Sequence, residues 1–137
     1  MIGQTKAAGF QIGVRRTFPV SREAAWAFLL STEGLKLWLG DLPSLELEPG
    51  HQYMTEEGNF GELRVVKPLE QLRLTWQRKG WSQPSTLQIR LIPNPSHADK
   101  TTISFHQEKL TDAWAREEMK QHWEAVTAAI MEQVGTD

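Results

Sequence analysis

The spacing of apolar and polar residues predicts a strand and two short helices at the start of the chain. Residues 10–18 place their apolar side chains mostly at every second position, which is typical of a half-buried strand. Pro19 ends this strand, and Ser21 is a suitable N-cap for a short helix. A second short helix is predicted over residues 32–40. The two helices should form a bracket beside the sheet.

The middle of the chain predicts a run of short strands separated by Pro and Gly turns. In one of them Leu72, Leu74 and Trp76 share a face, and in another Leu63 and Val65 do. Such alternation indicates one packed and one solvated face, which is typical of an antiparallel sheet. The predicted strands cover residues 44–48, 51–56, 60–67, 72–77, 87–91 and 102–106.

The last quarter of the chain predicts one long amphipathic helix over residues 111–134. Thr111 or Asp112 can cap its start, and Gly135 stands where a left-handed C-cap is expected. At 1.5 Å per residue this helix is roughly 34 Å long, close to the length of the strands. Apolar residues spaced by three or four positions form one stripe along it: Met119, Trp123, Val126, Ile130 and Val134.

Together these elements predict an α+β helix-grip fold. A curved antiparallel sheet of six or seven strands should wrap around the long C-terminal helix, with the two short helices after the first strand. Residues 10–134 are expected to form a single domain, because no repeat, linker or low-complexity segment interrupts them.

Composition narrows the class of protein. The chain has 137 residues, no cysteine and a net charge of −2, which excludes a disulfide framework and gives no basic footprint for nucleic acid. No apolar run approaches the ~20 residues of a membrane span, so membrane insertion is not expected. These features predict a cytoplasmic protein. Six tryptophans against one tyrosine indicate either a tryptophan-rich core or indoles that line a ligand cavity.

Several segments resemble a known family. In order and spacing they are similar to the START-like (SRPBCC) superfamily, and within it to the branch of activator-of-heat-shock-ATPase homologues. His122 stands where that branch commonly has a small residue before the helix tryptophan. The similar segments are residues 18–26 (FPVSREAAW), 34–38 (GLKLW), 61–65 (GELRV), 72–76 (LRLTW), 101–110 (TTISFHQEKL) and 122–123 (HW).

This resemblance implies a hydrophobic cavity between the long helix and the sheet. In some members of the superfamily the cavity binds lipids, sterols, polyketides or plant hormones, and in a few it is a catalytic chamber. The branch name comes from proteins in which this domain follows a separate chaperone-binding domain, which the sequence here does not predict. A chaperone contact is therefore kept only as an alternative partner.

The titratable residues predict no catalytic or metal site and no cofactor. The four histidines lack the pairwise spacing of metal ligands, and no pair of carboxylates is placed for acid–base chemistry. His122 should shield the edge of the long helix. Arg64, Arg73 and Arg90 should form cross-strand ion pairs with Glu62 or Glu70.

The function expected from these features is a carrier or sensor for a small hydrophobic molecule. An enzyme of the cyclase or hydrolase type, or a chaperone-associated interaction domain, are the alternatives. His51 and Tyr53 would be the polar groups of the cavity, if their strand face points inward. The predicted ligand-binding residues are Trp26, Trp38, His51, Tyr53, Leu63, Leu74, Trp76, Leu87, Phe105, Met119, Trp123 and Val126.

Overall fold

The computed structural model describes residues 4–5 and 9–134. Seven strands form one antiparallel sheet in the order β1-β2-β7-β6-β5-β4-β3. The strands are β1 (Gln4–Thr5), β2 (Gly9–Phe18), β3 (Gln52–Met54), β4 (Phe60–Lys67), β5 (Gln71–Trp76), β6 (Ser85–Pro93) and β7 (Thr101–Leu110), and the helices are α1 (Arg22–Leu30), α2 (Thr32–Trp38) and α3 (Ala113–Val134). The predicted α+β helix-grip is confirmed: the curved sheet wraps α3, and the two short helices follow β2.

The long helix packs its predicted stripe against the sheet. Met119, Trp123, Val126 and Ile130 are all buried, and Val134 is half-buried against the same core. The helix begins two residues later than predicted, because Asp112 is its cap: the Asp112 Oδ1 accepts a hydrogen bond from the Ala115 N–H at 2.7 Å. The C-cap predicted at Gly135 lies outside the described residues.

The inner face of the sheet comes from β5, β6 and β7, whose alternation was predicted correctly. Burial alternates strictly along β5, and the inward residues of β6 and β7 meet α3 in one core. The side chains that form this inner face are Leu72, Leu74, Trp76, Leu87, Ile89, Leu91, Ile103 and Phe105.

Two details of the predicted strands are wrong. Residues 44–48 form no strand; they run along the surface and place Leu45 and Leu47 against the core, while β3 occupies the sheet edge beside β4. In β4 a β-bulge lies between Leu63 and Val65. The extra residue shifts the alternation, so Val66 rather than Val65 joins Leu63 at the core.

The bracket of α1 and α2 depends on close backbone approach. Ser21 accepts from the Ala24 N–H, as predicted for the cap of α1, and Ser31 caps α2 through the Gly34 N–H. A Cβ atom at Gly34 would lie 1.8 Å from the carbonyl oxygen of Phe28, so only glycine fits there. This contact fixes the position of α2 against the end of α1.

Candidate functional site

A pocket of about 430 Å³ opens where α2, the β3–β4 turn, the end of β5 and α3 meet. We call it the mouth pocket. Aromatic rings and basic side chains share its wall, so it offers both an apolar surface and hydrogen-bonding groups. Its lining residues are Lys36, Leu37, Trp38, Leu39, Gly40, Glu57, Asn59, Trp76, Arg78, Lys79 and His122.

The helix side of the mouth pocket is held by Trp38. Its indole Nε1 donates to the backbone carbonyl of Leu29 at 2.8 Å, which ties α2 to α1 from inside the core. Because this hydrogen bond satisfies the indole N–H, Trp38 offers the pocket an aromatic surface rather than a donor.

The β3–β4 turn closes the opposite side through polar contacts. The Glu57 Oε1 accepts from the backbone N–H of Asp41 at 2.8 Å, and the Asn59 Nδ2 donates to the carbonyl of Leu39. The bond from Asp41 lowers the pKa of Glu57, which keeps this carboxylate ionised. Both side chains are therefore used to join the turn to the segment after α2.

The back of the pocket is a cluster of aromatic rings around Trp76. The His122 ring stacks on Trp76 with centroids 5.8 Å apart and an interplanar angle of 26°. Trp81 meets Trp76 edge-on at 5.7 Å, and Trp123 lies tilted against it at 6.3 Å. Such offset and edge contacts stabilise the cluster beyond simple area burial. They leave Trp76 only 1% exposed.

Two nitrogens of this cluster are buried and unpaired. Within the described part of the chain, neither Nε1 of Trp76 nor Nε2 of His122 has a hydrogen-bond partner. A buried polar group without a partner costs about 1–3 kcal/mol. The pocket wall therefore contains two hydrogen-bonding groups that the fold leaves unused.

Burial holds His122 in its neutral form. Desolvation, with a smaller contribution from the nearby Arg78 guanidinium, lowers the pKa of His122 to about 4, although a hydrogen bond with the Trp38 backbone raises it in part. A neutral imidazole has one N–H, and we assign it to the nitrogen that donates to Trp38. The Nε2 of His122 is then an acceptor, whereas the Nε1 of Trp76 is a donor.

Arg78 spans the pocket between β5 and α3. Its Nη1 lies 2.9 Å from the Glu118 Oε1, one helical turn before His122. Its Cζ lies 5.5 Å from the centroid of the Trp76 ring, within the range of a cation–π contact. Arg78 thus lies over the Trp76 ring, and its charge acts on the neighbouring His122.

The centre of the helix–sheet interface is built differently. The Trp123 Nε1 donates to the Gln107 Oε1, and the Gln107 Nε2 donates to the Ser85 Oγ, both at 2.8 Å. The Ser85 hydroxyl in turn donates to the carbonyl of Trp76 at 2.6 Å. The Trp123 ring also stacks on Phe105 at 4.8 Å. The polar groups of Trp123, Gln107 and Ser85 thus all have partners.

Ten of the twelve predicted ligand-binding residues belong to the one hydrophobic core. Of these, Trp38 and Trp76 line the mouth pocket, and the rest lie outside its lining. Their contact with a ligand stays a prediction. The ten are Trp38, Tyr53, Leu63, Leu74, Trp76, Leu87, Phe105, Met119, Trp123 and Val126.

The other two predicted residues lie at the periphery. Trp26 packs half-buried against the core from α1. His51 lies before β3, with its Nδ1 3.4 Å from the Glu46 Oε2 and its side chain 32% exposed. The structure does not bring His51 into the mouth pocket.

Tyr53 faces a second concavity, a groove of about 460 Å³ at the β3–β4 edge. Its hydroxyl donates to the carbonyl of Thr75 at 2.7 Å, and burial raises the pKa of this hydroxyl. A Cβ atom at Gly61 would lie 1.9 Å from the same carbonyl, so glycine permits this approach. The groove is also lined by outward side chains such as Met54 and Arg64, and lacks the aromatic cluster of the mouth pocket.

Sequence reasoning missed His122 and Arg78 as parts of the site. For His122 the signal was present, because a large polar ring replaces a small residue beside Trp123. For Arg78 no pattern in the chain indicated the contact, since it depends on how the end of β5 meets α3. The predicted cross-strand ion pairs with Glu62 or Glu70 are not formed as expected. Arg64 pairs with Glu62 on its own strand β4, while Arg73 pairs with Glu108 of β7.

Over residues 4–5 and 9–134, no three His, Asp or Glu side chains are grouped as a metal site would require. None of the helices in these ranges is long and apolar enough to cross a membrane.

Comparison with known proteins settles the family. The profile of the family described as "Activator of Hsp90 ATPase homolog 1-like protein" matches residues 19–135. The chain belongs to this family. This family is a branch of the START-like (SRPBCC) superfamily, as the sequence resemblance implied. No curated protein matches the sequence.

Solved structures share the fold at low sequence identity. An HSP90 activator from Plasmodium falciparum is 17% identical, with a TM-score of 0.77 over 93% of this chain and 97% of that one. Protein CV1439 from Chromobacterium violaceum is 18% identical, with a TM-score of 0.73 over 93% and 99%.

A third structure is longer. DynU16, from the dynemicin biosynthetic locus, is 17% identical with a TM-score of 0.74; the match covers 92% of this chain but 48% of DynU16, so this chain spans about half of it. At such identities the likeness establishes the fold alone.

Proposed function

We propose that this protein is a carrier or sensor that binds a small hydrophobic molecule between α3 and the sheet, with the mouth pocket as the opening. The observation that carries this proposal is the aromatic wall of the 430 Å³ pocket, formed by Trp38 and Trp76. Concave, mostly apolar sites with a few polar groups are the usual form of small-molecule sites. The buried residues predicted from sequence would be contacts for the part of the ligand that reaches further in.

Binding without chemistry fits the titratable groups of the pocket. An effective general base has a pKa near the working pH. His122, whose pKa is lowered to about 4, is too weak a base at neutral pH. The carboxylate of Glu57 is already used to hold the β3–β4 turn. The enzyme alternative therefore has no specific support in this pocket.

The test is binding of an environment-sensitive apolar dye, read by dye emission and by quenching of tryptophan fluorescence. We expect saturable binding to the unaltered protein. Leu37→Trp should narrow the mouth pocket and weaken binding at least tenfold. Leu45→Trp is the matched control, because Leu45 is also half-buried but does not line the pocket. Equal loss in both variants, or no saturable binding at all, would contradict the proposal.

A variant at the centre measures how far the ligand reaches. Leu74 is fully buried beneath α3, and Leu74→Trp should overpack this position at a cost of about 1–3 kcal/mol. If a folded Leu74→Trp protein loses dye binding, the ligand extends between helix and sheet. If binding is retained, the ligand stays in the mouth pocket.

A chaperone contact is the second candidate function. It is supported by the family match and by the HSP90 activator from Plasmodium falciparum, 97% of whose chain aligns with this one. The discriminating measurement is the ATPase rate of a purified Hsp90 with and without this protein. Stimulation that Leu37→Trp does not alter would favour the chaperone function over ligand binding. The cytoplasmic location stays a prediction.

A further inference from the structure

The wall of the mouth pocket indicates which chemical group of a ligand it would bind. Two rings in direct stacking contact, those of Trp76 and His122, each contain a buried nitrogen without a partner among the described residues. Buried polar atoms in native proteins almost always have a partner, so two such atoms in one contact are unusual. Both residues line the same pocket.

The two nitrogens are complementary in kind. The indole Nε1 of Trp76 can only donate, and Nε2 of His122 is the acceptor of a neutral imidazole. A carboxylate would satisfy the first but would meet the lone pair of the second. A hydroxyl can donate to His122, and a neighbouring oxygen can accept from Trp76. The Trp76 ring, once Arg78 no longer lies over it, would offer a flat surface that favours a planar aromatic body.

We propose that the mouth pocket selects a neutral, hydroxyl-bearing aromatic molecule of the phenol class, whose hydroxyl donates to Nε2 of His122 while an oxygen accepts from Nε1 of Trp76. This inference rests on the proposed function and names its ligand class. Lys36, Arg78 and Lys79 at the rim do not require an anion, because Arg78 is paired with Glu118 and the Glu57 carboxylate lies on the same rim.

The ligand must displace the side chain of Arg78 to reach the buried nitrogens of Trp76 and His122. The side chain of Arg78 lies over the Trp76 ring, and its ion pair with Glu118 is partly exposed, at 31% and 47% for the two side chains. Partly exposed ion pairs of this kind contribute about 1 kcal/mol or less. Arg78 can therefore swing outward when an aromatic ligand takes its place over Trp76.

The experiment compares three probes of one shape: 2-naphthol, 2-methoxynaphthalene and 2-naphthoate. A phenol, with a pKa of about 10, is neutral at about pH 7. The ether keeps the oxygen acceptor but has no donor, and the naphthoate is an anion. We expect 2-naphthol to bind about tenfold more tightly than the ether, which corresponds to about 1.4 kcal/mol, and the naphthoate to bind more weakly than 2-naphthol.

His122→Phe tests the assigned acceptor, since phenylalanine keeps a ring against Trp76 but has no nitrogen. It should bind 2-naphthol and the ether equally. His97→Phe is the control, because His97 lies exposed in the loop between β6 and β7, and it should keep the tenfold preference. Should His122→Phe not fold, the ¹⁵N shift of the His122 Nε2 replaces it. That shift should move with 2-naphthol and stay constant with the ether.

The outcomes separate this inference from the proposed function. Equal binding of 2-naphthol and the ether to the unaltered protein overturns the hydroxyl selection and leaves hydrophobic binding intact. Tightest binding of the naphthoate overturns it in favour of the basic rim. A preference that survives in His122→Phe overturns the role of His122. If none of the probes binds and the apolar dye also fails, the proposed function itself is wrong.

Discussion

Two neighbouring residues of α3 meet the same indole in different ways. Trp123 faces the centre of the interface, where its N–H, Gln107 and Ser85 form a closed chain of hydrogen bonds that ends on the carbonyl of Trp76. His122 faces the mouth pocket, where its Nε2 and the Nε1 of Trp76 find no hydrogen-bond partner in the part of the chain that the structure describes. The polar groups at the centre pair with one another, whereas the mouth pocket has two buried nitrogens without a partner among the described residues.

The difference explains why burial alone does not locate a site in this fold. Both regions are aromatic, and Trp76 belongs to both of them. What separates them is whether polar atoms are satisfied: a satisfied network rigidifies a core, and an unsatisfied one costs free energy without stabilising the fold. A ligand that pairs with unsatisfied polar atoms recovers the free energy that their burial costs. At the centre there is no such cost, because Trp123, Gln107 and Ser85 already pair with one another.

The largest loss of stability is expected from removing Trp123, the buried indole at the centre of the helix–sheet interface. Trp123→Ala deletes a fully buried indole, its stack on Phe105 and the partner of Gln107. We expect the free energy of unfolding to fall by about 3–5 kcal/mol, measured by chemical denaturation. Trp114→Ala on the same helix is the control: Trp114 is 80% exposed, so a change within about 0.5 kcal/mol is expected. Equal denaturation midpoints for the two variants would contradict the burial of Trp123 between α3 and the sheet.

The next largest effect is a pH dependence of the unfolding free energy, which His122 in the mouth pocket should cause. The pKa of His122 is about 4 in the folded protein, below its ordinary value of 6.5, so the unfolded chain takes up the proton first as the pH falls. The contribution of neutral His122 is fully present above about pH 6.5 and is lost between 6.5 and 4.

Across that range the unaltered protein should lose up to about 3 kcal/mol more unfolding free energy than His122→Phe. Denaturation curves of both proteins at a series of pH values provide the measurement. Parallel pH profiles for the two would show that His122 is not held neutral, and would remove the basis for assigning its Nε2 as an acceptor.

A third test breaks the hydrogen-bond chain without removing an aromatic ring. Gln107→Leu keeps the volume at the centre but leaves the Trp123 N–H unpaired, as the Trp76 N–H already is at the mouth. We expect a loss of about 2 kcal/mol in unfolding free energy. Gln88→Leu on the neighbouring strand is the matched control and should change little, because Gln88 is only half-buried, whereas Gln107 is fully buried. If Gln107→Leu left the unfolding free energy unchanged, the hydrogen-bond network would not distinguish the centre from the mouth pocket.

The sequence predicted the centre better than the mouth. Spacing alone identified the stripe of α3 and the inward faces of β5 to β7, because apolar burial repeats with the period of the element. Gln107 is buried in step with Ile103 and Phe105, but it lies just beyond the strand predicted over residues 102–106, and its polarity gave no signal of a buried role. The bulge in β4 could not be foreseen, since one extra residue shifts the alternation without a composition signal.

The mouth depends on contacts between distant segments, which no local pattern encodes. Arg78 reaches Glu118 across 40 positions, and the Trp76–His122 stack joins a strand end to the middle of a helix. Trp38 and Trp76 were predicted as ligand contacts because they are large and apolar, and they do line the pocket. The polar half of the site was placed at His51 and Tyr53, whereas the two nitrogens of the pocket wall that lack a partner among the described residues belong to Trp76 and His122.

The smallest change in stability is expected at Arg78. This variant tests most directly whether the mouth pocket differs from the packed centre. Arg78→Ala removes a partly exposed ion pair, so the free energy of unfolding should fall by about 1 kcal/mol or less. The same variant removes a positive charge that lowers the pKa of His122, so that pKa should rise, as measured by NMR titration.

Arg64→Ala is the control for Arg78→Ala, because the Arg64–Glu62 pair lies on the outer face of β4 and should leave the pKa of His122 unchanged. If Arg78 covers the stacked rings, its removal should also raise the affinity for 2-naphthol, since the ligand no longer displaces it. A large loss of stability in Arg78→Ala with an unchanged pKa would show instead that Arg78 is part of the packed core. The mouth would then be as closed as the centre.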